Sequence, residues 1–443
     1  MGLTAMLPRL AAGADVAVFP FVAAGGRDAV ANLHLARGLR VVETPRAATV
    51  LLVIGRLTRA LLEPLLRIHD QMAAPRVTAH WVLDDGPDPL MVAALPTALR
   101  LPAGDAMAVR SVAVELIIGG RPSEPAALTD VEPAVWRGVG PYGQGGTGMT
   151  GGVPYGRPLP GWAEDRDGLK LDQLQLRLGP AYPGLPPGLV LDLHMQGDIL
   201  QDVGIGPNPF LAGPGDPPAV MADAKAFTRA FSAPVPVAEL EVLRARHNVA
   251  RVAAMLRHLG LTAESERVLR LATQLGAGDI DAVRRLAGEL RRRRSLWWAT
   301  ADVGVVGIDG WVGPIGRAAG AAVDARLDDP SYEGLGFEPI AGHGEADSAG
   351  RVRQHLAEAL QALELAERAG SRAHDPVAVI EGLRGPLAAD RPTPTALHLA
   401  LLSSLLVDQE WGDALTTIVS LDLDMEEAAF DTALQSAGGE VAQ

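Results

Sequence analysis

The chain has 443 residues with 39 basic and 53 acidic side chains, a net charge of -14 that argues against a general nucleic-acid binder, whose hold on phosphate needs clustered positive charge. It contains no cysteine, which excludes disulfides, thiolate zinc sites, cysteine nucleophiles and cysteine-ligated iron–sulfur clusters in this chain. A chain of this length can bury two or more cores, so more than one domain is expected.

The opening "MGLTAMLPRLAAGADVAVFPF" has one arginine, an interrupted apolar run and no clear cleavage pattern, so no secretory signal is expected and a cytoplasmic location is the default. Between Val16 and Ile117, β-rich runs alternate with helical ones: "DVAVFPFV", "GLRVVE", "ATVLLVIG", the helical "ALLEPLLRIHDQM", then "RVTAHWVL" and "VAVELIIG". Val50 to Ile54 is apolar on consecutive residues, the pattern of a strand buried on both faces of a parallel sheet. Residues 1–120 are therefore expected to form an α/β domain. Residues 121–168 lose apolar periodicity and read as a Gly/Pro-rich linker arm. Within them, Gly140 to Gly161 holds nine glycines and four prolines, but neither the lysine nor the following helix that a phosphate-cradling loop requires.

From residue 169 to 443 a mainly α domain with a small antiparallel sheet is expected. "LDQLQLRLGP" and "GLVLDLHMQGDIL" alternate as half-buried strands do. Val237 to Leu259 places Leu240, Leu243, His247, Ala250, Ala254 and His258 near one helical face, and Ile280 to Arg294 is a second amphipathic segment. "ELRRRRSLWW" could meet anionic lipid or nucleic acid, but reads more simply as a solvated helix C-terminus whose tryptophans enter the next strand. "SAGRVRQHLAEALQALELAERAG" is a third helix, with Gly370 as its stop. The apolar run Ala396 to Val407 is too short to span a membrane, which takes about 20 residues. The histidines form no zinc-binding spacing, and no G-x-S-x-G elbow occurs.

Three blocks resemble a known pair of families. "ETPRAATVLLVIGRLTRALLEPLLRIHDQMAAPRV" resembles the cluster-carrying small subunit of respiratory complex I and of group 4 nickel–iron hydrogenases, through Pro45, Arg46, Ala48, Gly55, Thr58, Asp70, Gln71, Met72 and Pro75. "LRLGPAYPGLPPGLVLDLHMQGDIL" resembles the opening hairpin of the large, quinone-site subunit. The region Gly310 to Leu363 follows that subunit's "GxxGPxxRASGxxxDxR" pattern and what comes after it, with Gly313, Pro314, Arg317, Gly320, Asp324, Arg326, Tyr332, Phe337, Asp347, Arg351 and Glu358 in matching places. "DALTTIVSLDLDMEEA" resembles its C-terminus. The resemblance implies a flavodoxin-like parallel sheet in the first domain, joined by the arm to a large-subunit-like second domain.

It also implies losses. The places of the cluster-binding thiols, near Ala24 to Ala29, near Asp84 and Asp85 and near Gly104, hold none, and Asp424 and Glu427 stand where hydrogenase large subunits have metal-binding cysteines. Tyr182 and Pro187 stand where the quinone-site hairpin has histidines. The expected function is thus a cofactor-free structural or coupling subunit, without independent catalysis, of an assembly related to NADH:quinone oxidoreductase. It would lie peripherally on the inner face of the cell membrane, held by membrane-embedded antiporter-like or complex I-like subunits and by other peripheral subunits, and without nucleic acid. The alternatives are an oxidoreductase subunit with an altered quinone pocket, or a module binding a small molecule such as bicarbonate in the former cavity. Candidate structural or cavity residues are Tyr182, Arg317, Asp324, Asp347, Arg351, His355, Asp422 and Asp424. The row Asp347, Arg351, His355 and Glu358 is expected to form an ion network on one helix face. If Arg317 is buried, Asp324, Asp422 or Asp424 should face it and tie the C-terminal segment to the core.

Overall fold

The computed structural model describes residues 13–128 and 161–430, apart from 84–85, 87, 165–167, 212, 214–215, 217–220, 222–223, 343 and 345. Almost all of the Gly140 to Gly161 stretch, together with Asp84 and Asp85, lies outside the described residues.

The first half runs β1 (Val16–Val22), α1 (Ala29–Leu35), β2 (Leu39–Val41), β3 (Val50–Ile54), α2 (Leu62–Gln71), β4 (Val77–Val82), α3 (Pro89–Ala94), β5 (Leu99–Pro102) and α4 (Ala106–Ile117). Its five strands pair in parallel in the order β2-β1-β3-β4-β5, the flavodoxin-like arrangement. All of β3 is buried because both faces of the sheet are covered. Val50, Leu52 and Ile54 pack with Leu33 of α1 and with Val109 and Leu116 of α4, while Leu51 and Val53 face the other way.

"VAVELIIG", expected as a strand, instead closes α4. Asp105 caps that helix by accepting from the Ala108 N–H at 2.8 Å, and Val109, Val112, Ala113 and Leu116 recur at helical spacing against the sheet. The fifth strand is the short edge run "LRLP", which has too few apolar residues to stand out and ends on a proline that an edge tolerates.

The second half opens with β6 (Gly161–Glu164), β7 (Lys170–Leu178), β8 (Leu191–Gln196) and β9 (Ile199–Ile205), an antiparallel sheet in that order. There follow α5 (Lys225–Arg229), β10 (Val235–Pro236), α6 (Val237–His258), α7 (Thr262–Gln274), α8 (Ile280–Arg291), α9 (Arg294–Trp298), α10 (Gly313–Ala318), α11 (Ser348–Ala369), β11 (Ala373–His374), β12 (Val379–Glu381), β13 (Pro386–Ala388), α12 (Pro394–Leu406) and α13 (Trp411–Ser420). The arginine run ends α8 as expected, but the tryptophans sit in a helical turn, not a strand.

The pair α6 and α11, 22 residues each, forms the spine of this half. Asp347 starts α11 by accepting from the Gly350 N–H at 2.6 Å, and Gly370 ends it with a φ of 54°, which glycine adopts without a Cβ penalty. The buried face of α6 is rotated from the expected one. Glu241, Arg244, Ala245, Asn248, Val249, Val252 and Ala253 are inside, whereas of the expected face Leu240 is buried but Leu243, His247, Ala250, Ala254 and His258 are half-buried.

One hydrophobic core runs through both halves. Phe19, Phe21, Leu51 and Val53 of the parallel sheet share it with Leu191 and Leu193 of β8, Leu402 of α12, Ile418 of α13 and Leu423. Among the described residues, no helix is long and apolar enough to cross a membrane.

Candidate functional site

Polar side chains accompany the apolar contact of α6 and α11. Glu241, Arg244, His247, Asn248 and Arg251 recur every three or four residues on α6, and Arg351, His355 and Glu358 do so on α11, with Asn248 and His355 meeting between the two helices. Charges in an interior must be paired to persist there. Here all but Arg351, which hydroxyls and carbonyls hold, are gathered in or between two clusters.

The first surrounds Arg317, on α10, which is 1% exposed. Its Nε and Nη2 donate to the two oxygens of Glu358 at 2.7 and 3.0 Å, a bidentate fork, and its Nη1 lies 2.7 Å from Glu381 and 2.9 Å from Asp324. Asp324 is shared with Arg326, whose Nε and Nη2 reach it at 2.9 and 2.7 Å. Arg326 also donates to Glu241 at 3.0 Å and lies 4.1 Å from the centre of the Phe337 ring. Glu241 accepts in addition from the Tyr332 hydroxyl at 2.6 Å and from Arg244 at 3.3 Å. Three guanidiniums thus meet four carboxylates. Burial alone would raise Glu358, yet the Arg317 guanidinium and the Gln354 amide hold it below the ordinary range. Glu381 is pushed up by burial and by the neighbouring Asp324 carboxylate, against the pull of Arg317.

The second cluster is built on the segment 422–427. Asp422 accepts from Arg27 at 3.0 Å, Arg251 at 3.1 Å and His247 Nε2 at 2.5 Å, and Arg384 lies 3.3 Å away. Asp424 meets Arg27 at 2.8 Å and Arg384 at 3.2 Å, and Glu427 meets Arg384 at 3.2 Å and accepts from the Thr395 hydroxyl at 2.8 Å. Glu426 takes the Gly25 backbone N–H at 2.8 Å. Asp422 has a φ of 52°, a left-handed conformation that aspartate tolerates better than most residues, and its carbonyl accepts from Arg384 Nε at 3.0 Å. Burial opposes the charge on Asp422, but Arg384, His247 and Arg251 hold it well below the usual carboxylate range. Burial keeps His247 below its ordinary value in spite of Asp422. Glu427, like Glu381, is pushed up, by burial first and by its neighbour Asp424 as well.

The two clusters are mechanically one. The turn between β12 and β13 supplies Glu381 to the first and Arg384 to the second, and Arg244 donates to the Glu381 carbonyl at 2.7 Å. Gly313, at the start of α10, lies so close beneath this turn that a Cβ would overlap the Arg384 carbonyl, and its φ of 61° also favours glycine. His355 stands between the clusters. Its Nδ1 pairs with Asn248 Oδ1 at 2.7 Å, and burial lowers it to about 4 although Asp422 and Glu358 act on it from either side.

The structure distributes the residues chosen from sequence among different tasks. Arg317 and Asp324 meet in the first cluster; Asp422 and Asp424 meet in the second. Arg317 therefore does not hold the C-terminal segment, which Arg384 and Arg27 hold instead. Nor does the α11 row form one ion network. Asp347 caps the helix, and Arg351 donates to Ser420 Oγ, Ser348 Oγ and the carbonyls of Gly304 and Ala346, with no carboxylate in contact among the described residues. Burial accordingly lowers Arg351 to about 9. Among the described residues, Tyr182 makes no polar contact with either cluster; its ring is edge-on to Trp411 at 6.1 Å, and it packs against the core that holds Leu423 and Met425. Sequence reasoning missed Arg27, Arg244, Arg251, Glu381 and Arg384. Two of these carried a hint, being arginines in glycine-flanked loops, "GGRD" and "GLRGP".

The residues do not fit the metal groups that the resemblance implies. The stretches 24–29 and 422–427, where the resembling families have thiols, are bridged by guanidiniums 2.8 to 3.3 Å from carboxylates, and a cation placed there would face Arg27 and Arg384. Among the described residues, no group of three His, Asp or Glu side chains is arranged to hold a metal ion.

No protein-family model matches the chain, and no curated protein matches it. Among solved structures, the chain is similar to one from the membrane-bound sulfane sulfur reductase, described as an archaeal respiratory membrane complex. The identity is 19% and the TM-score 0.39, over 58% of this chain and 98% of the other.

Proposed function

We propose that this chain is a cofactor-free architectural and coupling subunit of a complex I-like membrane assembly, with the likenesses of a small and a large subunit carried on one polypeptide. The observation that supports this reading is the bridge from Arg27 to Asp422 and Asp424. Arg27 lies where the small-subunit pattern places cluster-binding thiols, and Asp424 lies where the hydrogenase large subunit has a metal-binding cysteine. Two places that carry redox centres in the resembling families are here joined by a guanidinium and two carboxylates, which hold shape and charge but pass no electrons. Such a bridge stiffens the junction, so that displacement of one half is transmitted to the other.

On this reading the partners are membrane-embedded, antiporter-like subunits and further peripheral subunits. The test is purification of the tagged chain from detergent-solubilised membranes of its own host. Stoichiometric recovery of multi-span antiporter-like subunits is expected. Recovery of the chain without them from membranes that contain them overturns the proposal.

A further inference from the structure

The helical hairpin of α7, α8 and α9 has a charge unlike the rest of the chain. Across residues 262–298, eight arginines accompany five carboxylates, in a protein whose overall charge is -14. Arg267, Arg284 and Arg293 are paired, with Glu289, Asp281 and Glu264 at 2.6, 2.6 and 3.1 Å. Arg291, Arg292 and Arg294 are exposed and make no ion pair among the described residues. The pairs Arg293–Glu264 and Arg267–Glu289 each join α7 to α8 or to the turn after it, so the arginine run lies beside α7.

An aromatic group stands on the same surface. Leu296 is buried and anchors α9, and Trp297 is fixed by donating its Nε1–H to the Leu290 carbonyl at 2.9 Å beneath the Arg353 guanidinium. Trp298 is 76% exposed. It follows Arg294 by four residues, so the two side chains share one side of the helical turn. Next to this corner, between α7 and α8, is a cavity of about 210 Å³ with Leu271 and Leu286 in its walls and Arg267 and Arg285 among its polar lining.

We infer that the corner formed by Arg291, Arg292, Arg294 and Trp298 docks onto a bilayer surface that carries anionic phospholipid headgroups. Arginine supplies attraction to the headgroup phosphates, and an exposed indole rigidly mounted beside it enters the interfacial layer where tryptophan is most at home. The charge pattern favours a bilayer over a soluble polyanion. A flat anionic surface meets this corner alone, with the acidic remainder of the chain screened beyond a Debye length of about 8 Å, whereas a flexible nucleic acid would also meet that remainder. The inference does not depend on the assembly reading: a chain that binds lipid but recruits no membrane subunit keeps the one and loses the other.

The test is co-flotation of the full chain with vesicles of phosphatidylcholine alone and of phosphatidylcholine mixed with phosphatidylglycerol. Binding is expected only with the anionic lipid and is expected to fall as salt is raised. The variant R291Q/R292Q/R294Q should lose on the order of a hundredfold in affinity, about fivefold for each arginine near the surface. Trp298→Ala should weaken binding roughly tenfold and abolish the lipid-induced blue shift that the wild type shows. All four side chains are exposed, and unchanged melting temperatures establish that the variants fold. Equal flotation with neutral vesicles, insensitivity to salt, or wild-type flotation of the triple variant overturns the inference. So does duplex DNA binding without flotation, which would assign the corner to nucleic acid.

Discussion

Replacing Arg317 by methionine removes the one group that faces Glu358, Glu381 and Asp324 together, while keeping much of the volume. Asp324 keeps Arg326 as a partner, and Glu381 is already pushed up, so the cost falls chiefly on Glu358. That carboxylate is 2% exposed and would be left with the Gln354 amide at 2.8 Å. It need not remain charged, because taking up a proton caps the penalty. From an ordinary value of 4.5, protonation at pH 7 costs about 3.4 kcal/mol. A loss of about 3 kcal/mol follows, at the lower end of what broken buried pairs cost. The pH dependence identifies the cause. In the wild type the depressed Glu358 contributes stability above pH 4.5 and loses it as pH falls through its folded value. In the variant Glu358 should be raised instead, so the deficit grows with pH above 4.5 and is smaller at pH 5 than at pH 7. Urea unfolding of both proteins at pH 7 and pH 5 measures this, and R317M/E358Q should recover most of the loss at pH 7. An unchanged midpoint at pH 7, or a deficit equal at both pH values, refutes the reasoning.

Arg27→Ala should cost about 1 to 2 kcal/mol, discounted because its side chain is 16% exposed, and should raise amide exchange in residues 422–427 before that of β3; unchanged exchange there would deny the bridge its role. Gly313→Ala, forced against the Arg384 carbonyl at positive φ, should destabilise by about 3 kcal/mol or more or leave the chain insoluble, and a wild-type melting temperature contradicts the close approach. Elemental analysis of the purified chain should find neither iron nor nickel in stoichiometric amount; about four irons per chain would overturn the cofactor-free reading.

The parallel sheet was legible because its strands are runs of consecutive apolar residues, and β3 is the clearest of them. Where β-branched residues recur at helical spacing, as in α4, composition and periodicity pointed in opposite directions and the cap at Asp105 decided the outcome. The face of α6 was misjudged for a different reason. A reading that puts charge outside must rotate the helix away from Glu241, Arg244 and Asn248, yet these are interior because each has a partner elsewhere in the chain. Those partners are far away in sequence: Arg326 is 85 residues from Glu241, Gly382 is 138 from Arg244, and His355 is 107 from Asn248. Asp324, two residues from Arg326 and seven from Arg317, was within reach of sequence reasoning for that reason.

The core shared by both halves sets an order of events during synthesis. The parallel sheet can pair as soon as β5 has left the ribosome, with Leu65 of α2 and Met91 of α3 covering part of the side that bears Phe19, Phe21, Leu51 and Val53, but the rest of that side awaits Leu402, Ile418 and Leu423. At about 5 to 20 residues per second, that delay is on the order of half a minute. For that interval an apolar sheet face is a target for chaperones and for other nascent chains. Any premature stop before α12 would make its exposure permanent.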